Sequence, residues 1–89
     1  MKNIIIASLA GLIATATFAS GAMAANPFFC QQYAQKAVHA EQKNLWEGCG
    51  FGGARWSFDF GGHYAWCLTV PKYLAKSETM ARKFALYSC

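Results

Sequence analysis

Four cysteines, Cys30, Cys49, Cys67 and Cys89, divide the last two thirds of an 89-residue chain into similar intervals. A chain this short buries too little surface for a large hydrophobic core, and small domains of this size usually need covalent cross-links. An even number of cysteines without C-x-x-C pairs favours disulfides over a zinc site or a redox-active motif. The spacing therefore predicts a small domain held by two disulfides, without a metal or other cofactor.

The first 24 residues have the three-part pattern of a secretory signal peptide. Lys2 precedes an apolar stretch over residues 4–18, and small residues then lead to an Ala22-x-Ala24 motif. A membrane anchor is the alternative, but the apolar stretch is shorter than the roughly 20 residues that cross a bilayer. We expect a cleaved signal peptide over residues 1–24 and a secreted or periplasmic mature domain over residues 25–89.

Apolar residues spaced three and four apart predict a first helix from Phe28 to Leu45. Asn26 and Pro27 suit its start, because proline is tolerated in the first helical turn. The predicted inner stripe comprises Cys30, Tyr33, Ala34, Ala37, Val38 and Leu45. The glycines between residues 48 and 53 then predict a turn rather than a phosphate-binding loop, since no Gly-Lys-Ser/Thr sequence follows them.

A second helix is predicted after Ser57, which would be its N-cap. Phe60, Tyr64 and Cys67 then share one face and should lie inside the domain. An aromatic strand is the competing prediction for this segment.

A third helix is predicted from Glu78, with Ser77 as its N-cap, because Pro71 interrupts the preceding pattern. The residues at helical spacing are Met80, Ala81, Phe84 and Tyr87 or Ser88. Together, the patterns predict an all-α fold, a three-helix domain stapled by two disulfides.

The order of the helices predicts which cysteines pair. Three helices with short connections pack antiparallel, so Cys30 and Cys67 fall at one end of the bundle and Cys49 and Cys89 at the other. A disulfide joins Cα atoms about 4.4–6.8 Å apart, whereas a 15-residue helix is about 22 Å long. The predicted bridges are therefore Cys30–Cys67 and Cys49–Cys89.

Ser57, Asp59 and His63 could suggest the triad of a hydrolase, because Asp59 and His63 are one helical turn apart. The alternative is that Ser57 and Asp59 cap the helix while His63 packs or forms a local hydrogen bond. No G-x-S-x-G motif is present, and so small a domain leaves little room for a substrate cleft. We therefore expect a protein that is not an enzyme.

Aromatic and basic residues crowd together between positions 55 and 66. Arginine and tryptophan often dominate binding energies, and aromatic rings can stack on sugars. The sequence predicts a binding surface centred on Arg55, Trp56, His63 and Trp66. The alternative is that these rings form the core; Trp66 is the best candidate for an exposed ring.

Part of this pattern is similar to a known kind of sequence. The matching positions are Cys30-x-x-Tyr33-Ala34, Cys49-Gly50-Phe51-x-Gly53-x-Arg55-Trp56-Ser57-x-Asp59, His63-x-x-Trp66-Cys67 and Arg82…Leu86-x-x-Cys89. They resemble a small four-cysteine module of exported bacterial proteins of uncharacterised function. The resemblance implies export and disulfides, and it adds no catalytic residue.

Two classes of function agree with these features. The first is an exported non-catalytic binding module for a glycan, a cell-envelope polymer or a protein partner. The second is a secreted effector, enzyme inhibitor or toxin-like peptide. After signal cleavage no segment is expected to span a membrane, and with seven basic and four acidic residues over 25–89 we do not expect a nucleic-acid partner.

Overall fold

The computed structural model describes residues 23–89, which fold into three helices. The helices are α1 (Pro27–Trp46), α2 (Phe60–Cys67) and α3 (Lys72–Ser88). No strand occurs in this part of the chain, so the all-α prediction is confirmed and the aromatic strand is wrong. The signal peptide predicted over residues 1–24 lies outside the described residues except for its last two.

Helix α1 begins where the sequence predicts. Asn26 is its N-cap and accepts a hydrogen bond from the backbone N of Phe29 at 2.8 Å, with Pro27 in the first turn. The predicted stripe is buried at Cys30, Tyr33, Ala34 and Ala37. Leu45 is a wrong member of that stripe, since 59% of it is exposed.

The buried position near the end of α1 belongs to Asn44 instead of Leu45. Its Nδ2 donates to the Phe51 carbonyl at 2.8 Å, and its Oδ1 accepts from the Phe51 backbone N at 3.1 Å. Nδ2 also donates to Glu41 at 2.8 Å. A buried amide needs such partners, and here they fasten the glycine-rich loop to α1. Gly50 in that loop has a φ of 79°, which favours glycine.

Asp59, and not Ser57, is the N-cap of α2. Its Oδ1 accepts from the Gly62 backbone N at 2.9 Å. A Cβ at residue 62 would lie 2.9 Å from Asp59 Cγ, so glycine lets this cap close. Ser57 Oγ accepts from the Asp59 backbone N at 3.2 Å and stabilises the turn before the helix. The Asp59 cap thus stabilises the first turn and offsets part of the low helix propensity of its glycines.

Helix α3 begins at Lys72, well before the predicted start at Glu78. Pro71 stands at the N-cap with a φ of −67° and a ψ of 155°. Because proline has no N–H and a fixed φ, it suits the beginning of a helix as well as its interruption. Ser77 therefore lies inside α3 and is not its cap.

The apolar stripe predicted on α3 faces solvent. Met80, Phe84 and Tyr87 are exposed by 46%, 66% and 92%, whereas Ala75 and Arg82 are buried. Ala75 packs in the cluster that contains the Cys30–Cys67 disulfide, and this close approach sets the rotation of the helix. Met80 and Phe84 consequently face solvent, whereas Tyr87, although exposed, lines a cleft between α3 and α1.

Both predicted disulfides are confirmed. Cys30 pairs with Cys67 and Cys49 with Cys89, with Cα atoms 5.5 and 5.7 Å apart. Helix α1 packs against both α2 and α3, which makes it the central element. The Cys30–Cys67 bridge is fully buried, and the Cys49–Cys89 bridge ties the loop after α1 to the end of α3.

The inner face of α2 is smaller than predicted. Cys67 is buried and Tyr64 packs partly against the core, but Phe60 is 38% exposed. The Phe60 and Tyr64 rings lie nearly parallel with centroids 6.5 Å apart. Phe60 is the first residue of the helix. The core therefore depends on Tyr33 and the buried disulfide more than on the rings of α2.

Candidate functional site

An open groove of about 870 Å³ separates the loop before α2 and the exposed side of α2 from the middle of α3. Its walls include all four residues of the predicted surface, Arg55, Trp56, His63 and Trp66, and also Tyr33, Glu78 and Arg82. We call this feature the aromatic groove. The fold brings together residues that the sequence places on a loop, on a short helix and on two flanking helices.

Trp66 is the exposed ring of the aromatic groove. It is 38% exposed, and its ring rests on Tyr33 with centroids 5.6 Å apart. Tyr33 is 3% exposed, so Trp66 rests on a rigid core residue. An amphipathic ring held in this way can offer a flat apolar surface without a large loss of conformational entropy on binding.

Trp56 forms a wall of the groove and is 8% exposed. Its ring stacks on Phe51 at 4.8 Å, and its backbone N donates to the Gly53 carbonyl at 3.0 Å. Gly53 has a φ of 97°, which the turn requires. Of the two tryptophans in the predicted surface, Trp56 is therefore buried, as the alternative of a core role predicts, whereas Trp66 is not.

His63 is buried and fixed by Ser57. Its Nε2 lies 2.9 Å from the Ser57 carbonyl oxygen and 3.4 Å from Ser57 Oγ. Because a carbonyl oxygen only accepts, Nε2 carries the hydrogen and has no lone pair for the Ser57 hydroxyl. The Asp59 carboxylate accepts from the Gly62 backbone N. The geometry thus matches the alternative in which Asp59 caps the helix and His63 forms a local hydrogen bond, while Ser57 stabilises the turn before the cap; these three residues form no Ser–His–Asp relay.

Arg55 joins the loop to α3 through Glu78. Its Nε and Nη2 donate to the two carboxylate oxygens of Glu78 at 2.8 and 3.0 Å. The Glu78 carboxylate, which accepts these bonds, raises the pKa of the Arg55 guanidinium, so Arg55 stays charged. Because both side chains are partly exposed, the pair stabilises the fold little and offers its remaining donors and acceptors to a ligand.

Sequence reasoning missed Tyr33 and Arg82 as groove residues. Arg82 is 3% exposed; its Nε donates to the Arg55 carbonyl at 2.9 Å and its Nη2 to the Tyr33 hydroxyl at 3.0 Å. Its Nη1 has no hydrogen-bond partner within the described residues. Arg82 lies seven residues after Ala75 on the same helical face, but an arginine at such a position is usually solvent-exposed. The spacing therefore did not single it out.

One cluster within residues 23–89 has side chains close enough to share a metal ion, namely Glu47 with Cys49 and Cys89. Metals bind cysteine as the thiolate, and these two sulfurs form a disulfide. The cluster therefore does not offer a zinc ligand set in the oxidised protein.

Comparison of the chain with protein-family models, curated proteins and solved structures finds no match. Within residues 23–89, none of the helices combines the length and the apolar character needed to cross a membrane. The geometry of the aromatic groove is consequently the basis for assigning a function.

Proposed function

We propose that this protein is an exported, non-catalytic module that binds a glycan of the cell envelope through the aromatic groove. The observation that carries the proposal is the Trp66 ring, exposed in the groove and backed by buried Tyr33. A sugar ring presents an apolar face of C–H groups, which an indole can stack on, and hydroxyls at its edge. The groove meets these hydroxyls with charged and polar groups around Trp66.

The polar groups of the groove suit a ligand rich in hydroxyls. The Arg55–Glu78 pair offers donors and acceptors, and the Asp59 carboxylate also lines the groove. Hydrogen bonds to charged groups are stronger than those between neutral ones, and a few well-placed polar groups orient a ligand in a largely apolar site. No bond-breaking role is assigned to His63, because its Nε2 hydrogen is committed to the Ser57 carbonyl.

Export of the protein is supported by its disulfides, which persist in oxidising compartments. We therefore place it in the periplasm or outside the cell, as the resemblance to a four-cysteine exported module also suggests. The backbone N of Ala25, which cleavage after Ala24 would convert to an ammonium group, donates to the Val70 carbonyl at 2.9 Å. The new terminus would keep that hydrogen bond.

Mature protein from the native host is expected to begin at Ala25. The Ala22-x-Ala24 motif after an apolar stretch is the reason. Intact-mass spectrometry of the isolated protein checks this, with the two disulfides counted in the mass. Mature material that retains Met1 would contradict the prediction.

Trp66→Ala is expected to weaken binding while it leaves folding nearly unchanged. Removal of a central contact tryptophan costs about 2 kcal/mol or more, which is roughly a thirtyfold loss of affinity. The measurement is retention of the oxidised protein on insoluble envelope material, together with the melting temperature. Trp46→Ala is the matched control, because Trp46 is 79% exposed at the end of α1 and does not line the groove.

The chemical class of the ligand is determined by repeating the retention measurement on envelope material that has been treated with a protease or with glycan-hydrolysing enzymes. Retention that survives protease digestion and disappears after glycan hydrolysis supports the proposal. Retention lost to protease alone would indicate a protein partner and contradict a glycan ligand. Equal retention of Trp66→Ala and Trp46→Ala would contradict a role of the aromatic groove in binding.

A further inference from the structure

The side of α3 opposite the aromatic groove carries an exposed apolar stripe. Tyr73, Met80, Phe84 and Tyr87 are separated by seven, four and three residues, which places them in one row along the helix. Tyr73 and Phe84 are exposed by 68% and 66%, and Tyr87 by 92%. We call this row the α3 stripe. A contiguous apolar row on a small exported protein points to an interaction surface.

Lysines accompany the α3 stripe on one flank. Lys76 and Lys83 are exposed and lie beside Met80 and Tyr87 in the helical arrangement. The acidic residue of α3, Glu78, lies on the other side of the helix and pairs with Arg55. The stripe therefore combines rings that suit a bilayer interface with positive charge on its flank.

A basic cleft of about 530 Å³ between α1 and α3 continues this surface. Lys36 and Lys43 line it from α1, and Lys83 and Tyr87 line it from α3. Glu47 is the acidic residue of the lining and lies 3.6 Å from Lys43. The cleft leaves an excess of positive charge next to the stripe, where the phosphates of a lipid surface would lie.

We propose that the α3 stripe and its lysine flank dock the protein on an anionic phospholipid bilayer. The charge argues for this occupant over a second copy of the chain, because Glu47 and Glu78 already pair with Lys43 and Arg55 and would leave the lysines of a copy without counter-charges. The positive charge also argues against residues 4–18 of this chain as the occupant of the stripe. That apolar stretch is uncharged and would leave the lysines without counter-charges. The inference goes beyond glycan binding: Glu78 and Arg82 line the groove from the face of α3 opposite the stripe, and of these two residues only Arg82 also lines the basic cleft.

Binding to vesicles tests the proposal with the oxidised, isolated protein. Co-sedimentation is expected with vesicles of mixed phosphatidylcholine and phosphatidylglycerol and to be much weaker with phosphatidylcholine alone. Lys76→Gln with Lys83→Gln is expected to reduce partitioning into the anionic vesicles roughly thirtyfold, because each lysine near the surface raises the partition constant about fivefold. The charge-preserving change of both lysines to arginine is expected to retain it.

A second pair of variants tests the apolar part. Phe84→Ala with Tyr87→Ala is expected to reduce partitioning at least tenfold, whereas Phe58→Ala, which removes a 53% exposed ring from the loop before α2, is expected to leave it unchanged. Melting temperatures confirm that each variant is folded. Equal binding to neutral vesicles, no loss on removal of the two lysines, or self-association abolished by the Phe84 and Tyr87 changes would overturn the proposal. None of these outcomes depends on whether the groove binds a glycan.

Discussion

Replacement of Cys30 and Cys67 by alanine is expected to unfold most of the protein at physiological temperature. The bridge closes a loop over a sequence separation of 37 residues. Chain entropy assigns such a loop about 4 kcal/mol, which is most of the stability that a domain of this size has. Both sulfurs are fully buried in the core cluster, so their removal also leaves a cavity. Urea unfolding followed by circular dichroism measures the loss.

The second disulfide provides the matched control. Cys49–Cys89 closes a loop of nearly the same length, with a separation of 40 residues, but its cysteines are partly exposed at the end of the bundle. Cys49→Ser with Cys89→Ser should therefore lose the entropic contribution with little loss of packing, and remain more stable than the other pair. If the variant without Cys30–Cys67 proved the more stable of the two, the assignment of that bridge to the core would be wrong.

Tyr33→Ala is expected to lower the free energy of unfolding by about 3–5 kcal/mol, as for other buried aromatic residues. Tyr33 is 3% exposed, supports Trp66 and accepts the hydrogen bond of Arg82 Nη2. Tyr33→Phe isolates the hydroxyl: it keeps the ring and leaves a buried guanidinium nitrogen without its partner. We expect about 1–3 kcal/mol for that change.

Thermal and urea unfolding of the two Tyr33 variants separate these contributions. Tyr33→Phe should also retain envelope binding, because the ring below Trp66 remains. A Tyr33→Phe variant that equals the wild type in stability would show that the Arg82 hydrogen bond has no net value. A Tyr33→Ala variant with nearly unchanged stability would contradict the role of Tyr33 in the core.

The helix number and the disulfide pairing were predictable because strong local signals and one geometric constraint agree. Asn26 and Pro27 mark the start of α1, and the cysteines fall at alternating ends of an antiparallel bundle. A disulfide cannot span the length of a helix, so the topology leaves one pairing. These features depend only on the positions of the residues along the chain, so they can be predicted without knowing how the side chains pack.

The boundaries of α2 and α3 were less predictable because competing residues can cap a helix. Ser57 and Asp59 are both good N-caps, and the chain selects Asp59, for which Gly62 leaves space. Pro71 reads equally well as the end of one element or the beginning of the next. Tertiary contact decides here, since Ala75 packs in the core and requires a helix before Ser77.

The orientation of α3 could not be read from its apolar spacing. Met80, Phe84 and Tyr87 show the periodicity of a core face, yet the buried face contains Arg82. Buried Arg82 is stabilised by hydrogen bonds to Arg55 and to Tyr33, which is 49 residues away in sequence. A hydrogen-bond network of this range has no local signature. The sequence did, however, distinguish Trp66 as the exposed ring by its position on α2.

We propose that a ligand of the cell envelope contacts Trp66 in the aromatic groove, and nuclear magnetic resonance tests this contact most directly. The chain has three tryptophans, and their indole N–H groups give separate nuclear magnetic resonance signals. Soluble glycan fragments released from the host cell envelope by enzymatic hydrolysis are titrated into the oxidised, isotope-labelled protein. We predict a shift of the Trp66 indole signal, a smaller one for Trp56 in the groove wall, and none for Trp46. A shift confined to Trp46, or saturating amounts of fragments that leave Trp66 unchanged, would contradict the claim.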